Sequence, residues 1–303
     1  MPTVQNQPSG SGSSIKLPRI GGFSLLELIH DGSGGSIFRA RQDRLGRVVA
    51  LKLLPEWPPA SDVSLERFNR SAYILAQVNH PSLLTLYDTG TKDGFHYISM
   101  EYVVGQTLQK HLAQIGAGDE RFAVQVAADI LGGLTALHAK EICHRNIKPK
   151  NIFIETNGTA RIIGLGLCSC KAAFFSPHLD ARPIGTPHFM APEMIRGCYT
   201  DTRSDLYSLG VTLYVLTTGR TPFDKGTPLT VMSKHLTEAP LPLGEARPNL
   251  SPAFVQFVET LMAREPEQRY QSTKAAQEAA EALARKHNLQ RPAAQQAAAA
   301  SQP

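Results

Sequence analysis

Two features near the start of the chain have the makings of anion chemistry. His30-Asp31-Gly32-Ser33-Gly34-Gly35 is a glycine cluster between two strand-like runs. Glycines let backbone amides approach a phosphate with no side chain in the way. The same cluster also suits an ordinary hairpin turn. A dinucleotide-binding fold would need a helix directly afterwards and an acid about 20 residues on. The cluster leads instead into another strand-like run, Ile37-Phe38-Arg39-Ala40, which excludes that fold. Lys52 then closes the run Val49-Ala50-Leu51-Lys52. A lysine in an apolar strand is costly unless its ammonium meets an anion or the strand is an exposed edge. Loop and lysine together point to a phosphate site, with Gly32, Gly34, Gly35 and Lys52 as its candidates.

A second grouping, Cys168-Ser169-Cys170, invites a metal or redox reading. No second cysteine pair stands at zinc-ligand spacing. None of the 10 histidines falls in a His-Glu-x-x-His motif. The 4 cysteines read as reduced thiols, and a reducing cytoplasm is the expected compartment.

The elements that must carry these residues fall into two compositions. Phe23 to Ile29, Ile37 to Arg41 and Val48 to Leu53 are short, apolar and β-branched, with turn residues between them. They read as antiparallel strands. Leu83 to Tyr87 and Phe95 to Tyr102 are further strand candidates. Leu65, Phe68, Ala72, Leu75 and Val78 share one helical face, and Pro81 ends that helix nearby. Beyond Gly105 the chain reads as mostly helical, over Phe122 to Ala139, Ser204 to Thr218, Ala253 to Ala263 and Thr273 to Lys286. The last of these is amphipathic and alanine-rich, suited to closing a fold and less so to a membrane or partner. Strands first and helices afterwards predict an α+β fold of two lobes, not a doubly wound sheet.

The chain has 303 residues, enough for two domains or one large bilobal one. Lys and Arg exceed Asp and Glu by 31 to 26, a mild excess without a basic run, so neither nucleic acid nor a membrane surface is expected as a partner. No apolar stretch is long enough to span a bilayer. Residues 1–18, rich in Ser, Gly, Pro, Gln and Asn, are expected to be a disordered tail, and 289–303 a low-complexity tail rich in Ala and Gln.

The decisive motifs lie in the second half of the chain. His144-Arg145-Asn146-Ile147-Lys148-Pro149-Lys150-Asn151 and Gly185-Thr186-Pro187-His188-Phe189-Met190-Ala191-Pro192-Glu193 resemble the protein kinase family, and most of all the eukaryotic-like serine/threonine kinases of bacteria. The glycine loop, Val49-Ala50-Leu51-Lys52, Arg67-Phe68, Asn79-His80-Pro81, Asp205 and Arg269 stand in the family's order. The resemblance covers Ile20 to His287. It implies a bilobal kinase-like fold over 19–288, with a small antiparallel β-rich N-lobe (19–102) and a larger α-helical C-lobe (103–288). It implies ATP as the ligand, held by Gly32, Gly34, Gly35 and Lys52. Ile37, Ala50 and Phe153 would flank the adenine, with Met100 behind it and Glu101-Tyr102-Val103 as the hinge. Plain core packing is the simpler account of these apolar residues.

The departures from the family pattern are chemical. The helix glutamate that pairs with the strand lysine is replaced by Ser71. Glu66 lies five residues back, about 140° around a helix from that position. The catalytic-loop Asp aligns with Asn146, whose amide cannot accept a proton at neutral pH. The magnesium Asp aligns with Gly164, which has no side-chain ligand, leaving Asn151 as an incomplete metal site. The first loop glycine is His30, whose ring would crowd a nucleotide. Losing a general base alone costs ~10²–10⁴ in rate. The resemblance, so modified, implies a pseudokinase: a scaffold or allosteric regulator of a protein partner, an active kinase or its substrate. ATP binding would then depend little on magnesium. The alternative is a low-activity ATP-dependent serine/threonine kinase, with Asp31 or Asp180 as a stray carboxylate.

The retained residues are largely architectural. Glu193 and Arg269 match the family's buried ion pair, and Asp205 matches the helix Asp that anchors the catalytic loop. Leu75, Leu86, His144 and Leu165 match the positions linking the lobes. Lys148 and Thr186 match residues organising the catalytic loop and substrate site. Ser169 and Ser176 are the hydroxyls expected in the activation segment, with Arg145 as a phosphate acceptor or simply a solvated arginine.

Overall fold

A computed structural model describes residues 19–32, 35–56, 62–168, 185–197 and 201–289. The expected tails, except for Leu289, lie outside these residues, as do Gly34, Asp180, Ser169, Cys170 and Ser176. In the N-lobe, β1 (Phe23–His30), β2 (Ser36–Gln42), β3 (Arg47–Pro55), β4 (Leu86–Lys92) and β5 (Phe95–Glu101) form one antiparallel sheet in the order β1-β2-β3-β5-β4. Side chains alternate across it with period two. Phe38, Ala40, Val49, Leu51 and Leu53 pack on one face with Phe23 and Ile20. Ala50, Leu54, Ile98 and Met100 pack on the other, against Phe68 and Ala72 of α1 (Asp62–Gln77).

The C-lobe opens with a small sheet of β6 (Gly105–Thr107), β7 (Ile152–Glu155) and β8 (Ala160–Ile162). Its helices are α2 (Leu108–Ile115), α3 (Glu120–His138), α4 (Pro192–Ile195), α5 (Thr202–Thr218), α6 (Pro228–Thr237), α7 (Leu243–Ala246), α8 (Pro252–Leu261) and α9 (Thr273–Lys286). α3 and α5 are apolar around most of their circumference and so are buried on all sides. Asp119, Asp201, Ser251 and Ser272 cap α3, α5, α8 and α9 by accepting backbone N–H groups. α9 buries Ala276, Ala280 and Leu283 in the C-lobe core, as the closing helix of the fold.

One element departs from its expected place. The strand expected over Leu83 to Tyr87 instead runs from Leu86 to Lys92, through Asp88, Thr89 and Thr91. Leu83 makes only a single bridge, to Ile162. The observed strand is a sheet edge paired to β5 alone. Its ladder hydrogen bonds therefore decide its position, and its solvent face tolerates a polar sequence that carries no apolar signal.

Candidate functional site

The glycine loop joins β1 to β2. Gly35 has φ +101°, and a Cβ built there would lie 2.5 Å from the Leu53 carbonyl oxygen, so only glycine fits. Its N–H donates to the Gly32 carbonyl at 3.0 Å, closing a tight turn. Asp31 turns back to accept from Ser36 Oγ at 2.6 Å. Lys52 sits in the middle of the sheet, opposite Ile37 on one side and Ile98 on the other. Its Nζ lies 5.1 Å from the centroid of the Phe68 ring, and no carboxylate among the described residues pairs with it. Burial alone pushes the ammonium down to about 8.

Ser71 does not face the lysine as an acid would. Its Oγ donates to the Arg67 carbonyl one turn back at 2.9 Å, within its own helix. Glu66 is engaged with Arg70 at 3.1 Å. Arg70, almost fully buried, also donates from Nη1 to the Cys168 carbonyl at 2.6 Å. Arg70 thus ties α1 to the short turn Leu165–Leu167, which packs so closely that a Cβ on Gly166 would lie 3.2 Å from the Arg67 carbonyl. Sequence reading did not assign Arg70 a role. Its only signal was the i, i+4 spacing to Glu66.

On the C-lobe side, Asn146, Lys148 and Asn151 converge. Asn151 Nδ2 donates to the Asn146 carbonyl at 2.8 Å. The Asn146 Oδ1 is buried and finds no hydrogen-bond donor among the described residues. Lys148 Nζ donates to Thr186 Oγ1, joining the catalytic-loop segment to the turn Pro187–Phe189. Burial, then the charge of Lys150, lowers the Lys148 ammonium below its ordinary value. Gly164 has φ +82°, and a Cβ there would lie 2.8 Å from both Cγ and Oδ1 of Asn151. The space where a carboxylate side chain would begin is thus taken by Asn151 itself. Gly164 offers no side-chain ligand and Asn151 Nδ2 is turned inward, so these residues do not fit a two-ligand magnesium site.

Ala50 and Met100 pair across β3 and β5, and Ile37 packs beside them. Phe153 lies on β7 in the other lobe. Glu101 is the last residue of β5, and its carboxylate is bound by Arg161 at 2.8 and 3.2 Å. That pairing, which sequence reading also missed, leaves Glu101 only its backbone to offer a ligand. Val103 lies in the connection between the lobes. Leu75 packs against the cores of both lobes, and Leu165 is buried in that of the C-lobe.

Two buried anchors hold this arrangement. Asp205 on α5 accepts the backbone N–H groups of His144 and Arg145, each at 2.7 Å, and His138 Nε2 at 2.8 Å. These bonds hold Arg145 at φ +63°, the left-handed region that costs a non-glycine residue about 1 kcal/mol or more. Glu193 on α4 binds Arg269 through two hydrogen bonds, at 2.7 and 2.9 Å, and accepts from Ser204 Oγ at 2.7 Å.

Residues 23–281 match the family pattern of the protein kinase domain. The chain belongs to the protein kinase family. The kinase domain is similar to the serine/threonine-protein kinase pkn3 of Myxococcus xanthus, with 34% identity over 84% of this chain and 48% of that protein. It shares 35% identity with the serine/threonine-protein kinase PknB of Mycobacterium leprae, over 82% of this chain and 41% of that protein. It shares 30% with the serine/threonine-protein kinase PrkC of Bacillus subtilis, over 83% and 39%. The chain therefore spans less than half the length of these relatives. No helix among the described residues of this kinase domain is long and apolar enough to cross a membrane.

Electrostatics of the kinase domain reflect its burial. Burial pushes the Asp205 carboxyl up, but the hydrogen bond and charge of His138, then His144, outweigh it and leave it below the usual range. Glu193 behaves likewise: burial raises it and the bonds to Arg269 and Ser204 bring it lower. His144 is fully buried and held below its ordinary value by desolvation. His235, behind the turn Pro187–Phe189, is pushed down to about 4 by burial. Its Nδ1 is hydrogen-bonded to the Tyr207 hydroxyl at 2.7 Å.

Proposed function

We propose that this kinase-family chain is a pseudokinase. It binds a nucleotide between residues 19–102 and 103–288 and acts in the cytoplasm by holding or regulating a protein partner, an active kinase or its substrate. The observation that carries this reading is at Gly164. Gly164 itself carries no carboxylate, and Asn151 fills the space a side chain would need. Asn146 has no basic atom to take a hydroxyl proton, and Lys52 has no acidic partner among the described residues to fix its ammonium. ATP would then be held by Lys52, the loop amides at Gly32, Gly34 and Gly35, and the hinge backbone at Glu101 and Val103. Ile37, Ala50, Met100 and Phe153 would surround the base. Lys148, Thr186 and the unsatisfied Asn146 Oδ1 would remain as polar contacts for a partner's peptide.

The second reading is an ATP-dependent serine/threonine kinase of low activity. The similar proteins favour it, since the three relatives are named as serine/threonine-protein kinases, and with it an ordinary requirement for magnesium. One pair of measurements separates the two. Calorimetry of ATP binding is run with magnesium and with EDTA, beside a Lys52→Ala control. Radiolabel transfer to a serine- and threonine-bearing protein is monitored in parallel. The pseudokinase reading expects EDTA-insensitive, Lys52-dependent binding and no transfer. Magnesium-dependent transfer that Lys52→Ala abolishes would establish the kinase reading instead.

A further inference from the structure

The strand register brings a histidine, His30, close to Lys52. His30 pairs with Ile37 across β1 and β2, just past a β-bulge between Leu28 and His30, and Ile37 pairs with Lys52 across β2 and β3. Directly opposed residues in an antiparallel sheet project to the same face. Ile37 and Lys52 therefore share the face that bears Ala50, Met100 and α1, and His30 sits opposite Ile37 where the bulge ends the row. One isoleucine stands between the histidine and the lysine.

The loop geometry agrees with the register. A Cβ built on Gly32 would lie 3.0 Å from His30 Nε2, so the imidazole is folded over Gly32. A Cβ on Gly35 would lie 3.6 Å from Lys52 Cε. The His30 ring and the Lys52 side chain thus border the two described glycines of the loop. The surrounding carboxylates are already engaged. Asp31 accepts from Ser36, Glu27 is paired with Arg39 at 3.2 Å, and Glu66 is paired with Arg70. His30 itself is exposed, and no hydrogen bond or ion pair of its side chain occurs among the described residues.

We propose that His30 is a phosphate-contacting cation of the glycine loop, which with Lys52 supplies a nucleoside polyphosphate with positive charge that metal coordination at Gly164 cannot. This rests on the nucleotide-binding reading of the site and names its chemistry. The loop position taken by a glycine in the family pattern here carries a group that donates a hydrogen bond and bears charge when protonated. Charge-assisted contacts to phosphate are about twice as strong as neutral ones.

The test is calorimetry in EDTA at about pH 6. ATP and adenosine are the probes, against the wild type, His30→Gln, His30→Gly and His30→Lys. ATP binding is expected to weaken about tenfold in the Gln and Gly variants, the scale of one charge-assisted hydrogen bond, and to recover in the Lys variant. Adenosine, lacking phosphate, is expected to bind all four alike. Tighter ATP binding by His30→Gly would show that the ring is a plug. Unchanged ATP binding, or equal loss for adenosine, would likewise overturn the proposal while leaving the nucleotide site standing. Failure of the wild type to bind ATP at all would overturn both.

Discussion

Two residues carry most of the chemical consequence of this fold, Gly164 and Lys52. Gly164 combines a left-handed backbone with a contact of 2.8 Å from its notional Cβ to Asn151. Restoring a carboxylate by Gly164→Asp should therefore destabilise the protein by about 1–3 kcal/mol. Asn146→Asp, nearly isosteric, should change stability far less; denaturant titration of the two variants checks the ordering. Equal losses would show that Asn151 yields readily. Lys52 answers to pH. Its folded-state pKa of about 8 lies below its ordinary 10.5, because burial disfavours the charged form. The ammonium is mostly present below pH 8 and is lost above it. Affinity for ATP in EDTA should therefore fall as pH rises through about 8, and Lys52→Ala should remove that fall. A flat profile for the wild type would mean that the lysine does not meet the phosphates.

At the scale of elements, α1 is held by a contact other than the ion pair of its family. Arg70 reaches the Cys168 carbonyl from a buried position. Arg70→Met keeps much of the packing and removes the donor, and should cost about 1.5–3 kcal/mol. Hydrogen exchange in α1 and in 165–168 should speed up together, because one bond couples them; acceleration in α1 alone would argue against that coupling. The pair Glu193–Arg269 anchors α4 to the loop after α8. Glu193→Ala strands a buried guanidinium and should cost about 3–5 kcal/mol. Its thermal midpoint measures this, and a change under about 1 kcal/mol would show that the remaining carbonyl acceptors of Arg269 suffice. Much at this scale was legible in sequence. The helix over Thr273–Lys286 has its expected bounds, and β1, β2, β3 and β5 lie within two residues of theirs. β4 was not legible, because an edge strand bonded on one side needs no apolar alternation.

For the whole molecule, pH acts through buried rings before it acts through carboxylates. His144 and His235 both have folded-state values below the ordinary 6.5, so the unfolded chain takes up protons first as pH falls. Their contribution to stability is complete above about pH 6.5 and declines below it, for His235 until about 4. Asp205 and Glu193 add a further loss at lower pH, as each is protonated in the unfolded chain before the folded one. Thermal midpoints recorded from neutrality downward should begin to drop near pH 6. His235→Gln should shallow that first decline. A plateau down to pH 4.5 would mean that these rings protonate in place.

The sequence by itself determined the family, the bilobal order of strands before helices, and the identity of the groups at each chemical position. Asn146 cannot be a base and Gly164 cannot supply a carboxylate in any conformation, because those are facts of covalent structure. The anchors Glu193, Arg269 and Asp205 were legible through the resemblance to the protein kinase family, as motif residues standing in the family's order. Only the tertiary structure decided what fills the gaps left by the missing acids. Ser71 turns to its own helix, Asn151 closes over Gly164, Arg70 reaches Cys168, Arg161 takes Glu101, and the register brings His30 close to Lys52. Most of these join residues through strand pairing or packing between elements distant in the chain. Such contacts depend on where backbones come to rest, and local periodicity carries no record of it.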